Sequence, residues 1–208
     1  MTTRVIEVDP ARFDGWMARF AERHGPYDAA EETTPGGVVM SARAADGSTV
    51  VARPFAHVPL GVILVRRGGY AVGLAPAGAL TVSKVGSRHV QSRTAAGGWS
   101  QQRFARRRGK QADELVDAVV GHARRVLLGD DESPAAGADG IPRALVVGGD
   151  RALVRDVLAA GALRALAGLP MRELYDLPDP KRDVLETALR RGRAVRIELT
   201  ESTVGDVS

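Results

Sequence analysis

Between Gly36 and Arg93 the chain is written in short β-branched and aromatic runs separated by turn residues, and this pattern limits its fold more than any other feature. Val38-Val39-Met40, Thr49-Val50-Val51, Val62-Ile63-Leu64-Val65, Tyr70-Ala71-Val72 and Leu80-Thr81-Val82 are too short for helices and suit a pleated surface. Asp46-Gly47 separates the first two runs and Gly68-Gly69 the third and fourth. Both pairs tolerate the left-handed backbone of tight hairpin turns. The stretch predicts antiparallel strands.

The flanks carry a different period. Val5 to Val8 reads as a short strand, and Asp9-Pro10 supplies a capping side chain and a first helical position. Phe13, Trp16, Met17 and Phe20 then recur at spacings of three and four, the buried face of a helix that Gly25-Pro26 ends. Further on, Leu115, Val116, Val119, Ala123, Val126 and Leu127 form the stripe of a long helix that Gly129 stops, with Arg124 and Arg125 near the end where cations suit the dipole. Asp130 to Gly140, rich in Asp, Gly, Ala and Pro, reads as a surface loop. Beyond it come a strand at Arg143 to Val147, a helix at Arg151 to Ala160, a helix at Lys181 to Arg191 and a strand at Ala194 to Leu199. Gly148-Gly149-Asp150 after a strand reads first as a strand-to-helix turn with an Asp cap, the alternative being close approach to a ligand. The whole predicts an α/β fold, a mixed β-sheet flanked by helices with a β-rich first half, in one domain over residues 1–200 and a flexible tail at 201–208.

Charge and composition narrow the chemistry. The chain has no cysteine, which excludes disulfides, thiolate metal sites and cysteine nucleophiles. His24, His57, His89 and His122 fall on different elements without ligand spacing, so no metal and no cofactor is expected. No segment approaches the ~18 apolar residues of a membrane span, and the N-terminus lacks the apolar core of a signal peptide. A cytoplasmic protein with no membrane partner is expected. The net charge is only +4, yet Lys84, Arg88, Arg93, Arg103, Arg106, Arg107, Arg108 and Lys110 follow one another with no Asp or Glu among them. Such a run predicts a nucleic-acid partner.

Inside the basic run lies Arg93-Thr94-Ala95-Ala96-Gly97-Gly98-Trp99-Ser100-Gln101-Gln102-Arg103-Phe104-Ala105-Arg106-Arg107-Arg108, a glycine-hinged loop opening into an arginine-rich helix start. The glycine pair, the glutamine and Arg103-Phe104-Ala105-Arg106 resemble the Gly-Gly-Gln loop and helix start of the catalytic domain of the eukaryotic class-one release factor. The likeness is closer to the Vms-like release-factor family, whose members carry Gly-x-x-Gln, here Gly98-Trp99-Ser100-Gln101, and closest to its actinobacterial branch. Trp99 and Ser100 stand between the glycines and Gln101, which leaves Gln102 as the alternative glutamine. Neither the ankyrin repeats nor the zinc finger of larger relatives is present in the sequence, and there is no room for a codon-reading domain.

The resemblance implies a ribonuclease-H-like catalytic domain and a peptidyl-tRNA hydrolase that releases nascent peptides on stalled, split large subunits, acting as a monomer. Gln101, Gly98 and Gly97 would be catalytic. Lys84, Arg88, Arg93, Trp99, Arg103, Arg106, Arg107, Arg108 and Lys110 would hold tRNA and ribosomal RNA, the arginines through phosphates and Trp99 by stacking. Two other outcomes are open: cleavage of the tRNA near its 3′ CCA end, and a non-catalytic RNA-binding module. Ser100 fails the nucleophile-elbow pattern and no phosphate-binding P-loop is present.

Overall fold

The computed structural model describes residues 1–34, 37–87, 100–130, 133–134 and 140–202, with side chains described except at 100–108, 130 and 133–134. The fold is α/β, and the chain groups into two compact units, one of residues 1–56 with the segment from Arg193 onward, the other His57–Gly192.

In the first unit, strands β1 (Thr2–Val8), β2 (Tyr27–Thr34), β3 (Gly37–Ala44), β4 (Thr49–Arg53) and β12 (Val195–Glu201) form an antiparallel sheet in the order β1-β12-β4-β3-β2. A 3-10 turn at Pro10–Arg12, capped by Asp9 Oδ1 accepting from the Ala11 amide at 2.9 Å, leads into helix α1 (Phe13–His24). Met17 and Phe20, flanked by Phe13 and Trp16, pack onto Ala42, Ala44, Val50, Ala52, Val195, Ile197 and Leu199. Across β12 and β4 the alternate residues carry charge instead, with Arg53 donating to Glu198 at 2.7 Å. One face of the sheet is apolar and the other polar, the alternation proper to an antiparallel sheet.

In the second unit, β5 (Leu60–Arg66), β6 (Gly69–Ala75), β7 (Val82–Ser87), β10 (Ala144–Gly149) and β11 (Met171–Leu174) form a mixed sheet in the order β11-β10-β5-β6-β7. β10 lies parallel to both β5 and β11, whereas β6 is antiparallel to its two neighbours. Two bridging residues, β8 (Gly129–Asp130), pair with two more, β9 (Ser133–Pro134). Helix α2 (Ser100–Ala123), extended by a π-helical turn at Arg124–Leu128, and helix α3 (Arg151–Leu158) cover one face, where Leu115, Val119, Ala123, Leu127, Val154 and Val157 meet Ile63, Val65, Val72, Leu145 and Val147. Helix α4 (Arg182–Arg193) covers the other. A Cβ at Gly192 would run into Val146, and one at Gly73 would come 3.1 Å from Leu185. Strands β5, β6 and β10 are consequently buried on both faces, which is why they read as unbroken apolar runs.

The expected strands and helices are present with shifted ends, but they divide between two sheets rather than one. The five runs between Gly36 and Arg93 do pair antiparallel with their chain neighbours within each sheet, β3 with β4, β5 with β6 and β6 with β7. The fifth run starts later than expected: Thr81 turns back onto Leu74 through its amide at 3.0 Å and its hydroxyl at 3.3 Å, so pairing begins at Val82. Strands β2 and β11 were not expected from the sequence.

Candidate functional site

Helix α2 begins at Ser100, the residue before Gln101 in the Gly98-Trp99-Ser100-Gln101 motif. Gln101, Gln102, Arg103, Arg106, Arg107 and Arg108 occupy its first turns, and Lys110 follows, exposed. Among the described side chains, the first on α2 to pack on the core is Ala112. At 1.5 Å per residue, Ser100 lies about 18 Å along the axis from Ala112. Gly97, Gly98, Trp99, Arg88 and Arg93 lie outside the described residues.

Lys84 is exposed on the edge strand β7, opposite Val72, on the face that α2 covers. Close by, the His122 imidazole stacks on Tyr70 with ring centroids 5.2 Å apart. Burial holds the His122 pKa below the usual histidine value, and the positive charges of Arg125 and Lys84 push the same way. The imidazole therefore stays neutral near pH 7, surrounded by cations rather than carboxylates. Sequence spacing gave His122 no role.

Gly69 and Ser87 are partners in the β6–β7 ladder, at the end of β7. Beside that point, at the C-terminal ends of the parallel strands β5 and β10, Arg66, Arg67, Gly68, Gly149, Asp150 and Asp179 line a cavity of about 330 Å³. Arg66 donates from Nη2 to the Leu177 carbonyl at 2.6 Å and pairs with Asp179 at 3.6 Å. Its buried Nε has no acceptor among the described residues. Asp150 caps α3 as the sequence indicates, Oδ1 accepting from Ala152 at 2.9 Å and from Leu153 at 3.3 Å. The cavity itself was not expected, since it needs residues far apart in the chain. Its only sequence signals are the two glycine turns.

Among the described residues no group of His, Asp and Glu is arranged to hold a metal ion. No helix is long and apolar enough to cross a membrane.

The family model described as Actinobacteria/chloroflexi VLRF1 release factor matches residues 58–198. No curated protein matches the chain. The match covers the second unit almost from its first residue, includes the glycine-rich loop and all of α2, and spans well over half of the sequence. The chain thus belongs to the actinobacterial and chloroflexi VLRF1 release-factor family.

Proposed function

We propose that the chain is a peptidyl-tRNA hydrolase that frees nascent peptides on stalled, split large ribosomal subunits. The observation that carries this reading is the family match across a glycine-rich loop that enters an arginine-led helix at Ser100. The bond to be broken is an ester whose ribose already offers a neighbouring 2′-hydroxyl, so the protein's task is positioning. Gln101 has no useful pKa, but its amide and nearby backbone N–H groups would orient water and bind the developing oxyanion. Gly97 and Gly98 let backbone approach the substrate closely. Positioning can lower a barrier by several kcal/mol, roughly 7–11 in the best intramolecular cases, without a metal or an acid–base pair. The arginines of α2, with Lys84 and Lys110, would grip phosphates and supply affinity that does not depend on sequence.

The test is single-turnover release from purified peptidyl-tRNA bound to large subunits. Gln101→Ala is expected to abolish release while leaving subunit binding intact. Loss on Gln102→Ala instead would move the catalytic glutamine by one residue, and full turnover by both variants would remove glutamine chemistry from the reading. Sequencing the tRNA 3′ ends separates ester hydrolysis from cleavage near the CCA end.

A further inference from the structure

We propose that the cavity between the ends of β5 and β10 binds one nucleotide, its phosphate at Arg67 and its ribose hydroxyls at the Asp150 and Asp179 carboxylates. The location is the first support. Arg66 and Gly149 are the last residues of β5 and β10, so the cavity lies at the carboxyl ends of this parallel pair, where the turns after both strands converge. The lining is the second. A site for phosphate alone would not carry two carboxylates, and a site for a cation would not carry two arginines, whereas a ribose phosphate offers an anion and hydrogen-bond donors together. Size is the third: about 330 Å³ lies at the small end of ligand sites, in keeping with one nucleotide.

The side chains divide by the structural duties they already have. Arg66 is engaged with the Leu177 carbonyl and Asp179, and it shapes the wall. Arg67 is exposed and forms no hydrogen bond or ion pair among the described residues. The cap contacts of Asp150 both go to Oδ1, and neither uses Oδ2. Gly68 and Gly149 leave the cavity without side chains between the charged groups. Because Gly69 pairs with Ser87, the cavity lies beside the end of β7. Under the hydrolase reading, a substrate RNA strand is one source of the nucleotide. The proposal rests on the hydrolase reading only for this source of the nucleotide.

The experiment follows the backbone amide resonances of Gly68 and Gly149 in the full chain during titration. The probes are adenosine 5′-monophosphate, its 2′,3′-dideoxy counterpart and a short single-stranded RNA ending in cytidine-cytidine-adenosine. Saturable shifts at both glycines are expected. Arg67→Ala should weaken both ribonucleotide ligands about tenfold, the loss of one charge-assisted contact. Asp179→Asn should weaken the ribonucleotide and leave the dideoxy compound unchanged. Tighter binding of the RNA identifies a substrate strand as the occupant, and tighter binding of the mononucleotide identifies a free nucleotide. Absence of saturable shifts with either ligand, or unchanged affinity in both variants, would overturn the proposal. Peptide release by a chain that binds no nucleotide here would leave the Gln101 reading standing, and binding without release would do the reverse.

Discussion

A methyl group at Gly149 would collide with the carbonyl oxygen of Val65, and the backbone there has φ +105°, so an L side chain is opposed both by space and by conformation. Gly149→Ala should cost about 3 kcal/mol or more, read as a lower denaturation midpoint at unchanged slope. A midpoint within error of the parent would mean that β5 and β10 can part without penalty. His122 gives the second prediction at this scale. Its folded pKa is depressed, so below the usual value near 6.5 the unfolded chain takes up a proton that the folded chain refuses. Stability must therefore fall as the pH drops through that window, and His122→Phe, which keeps a ring on Tyr70, should flatten the fall. Denaturation midpoints at pH 7.5 and at pH 5.5, about one unit either side of that value, would show whether the slope belongs to this imidazole. At this scale the sequence revealed the Asp150 cap, because a cap is a local signal. It concealed the lowered pKa of His122, which comes first from burial in the folded chain and then from the charges of Arg125 and Lys84.

Helix α2 was legible from its stripe because Leu115, Val119 and Ala123 keep one period against one surface. Strand β2 was not: Tyr27–Thr34 is almost wholly exposed on the sheet edge, paired to β3 along its length, and carries no alternation of apolar residues. Strand β11 alternates in burial only, with Arg172 and Leu174 buried and Met171 and Glu173 exposed, so its sequence shows no apolar alternation either. The arginines of α2 belong to this scale, since their effect depends on how the helix presents them. Consecutive residues are about 100° apart, so Arg106, Arg107 and Arg108 cannot all meet one phosphate strand. Changing all three to Ala should weaken large-subunit binding. It should also lower the slope of log affinity against log salt by roughly 0.7–0.9 for each contact truly lost. An unchanged slope would assign the run to a solvated helix face.

For the molecule as a whole, what escaped sequence reading was which strands pair across long stretches of chain. Thr2 is paired with Glu201, and β12 lies between β1 and β4, so the last described strand is interior to the sheet formed by the first segment. Local patterning found each of these strands and could not assign their partners, because a two-residue period says nothing about the neighbour. Ending the chain at Arg193 would remove β12, leaving β1 without a strand partner and β4 with one unpaired edge. Hydrogen exchange should then show the amides of β1 and β4 losing their protection, while β5, β6 and β10, in the other unit, keep theirs. Retained protection in β1 would mean that its pairing with β12 is dispensable.

The distance between Ser100 and Ala112 has a mechanical meaning. A helix held at one end converts a tilt of about 3° there into a displacement of about 1 Å at a point about 18 Å along it. Misplacement on that order can slow a reaction about a hundredfold. If the proposed hydrolase reading holds, the packing of Leu115, Val119 and Ala123 against the sheet would set how finely the start of α2 is aimed. Leverage of that kind would make the fulcrum part of the chemistry at the tip.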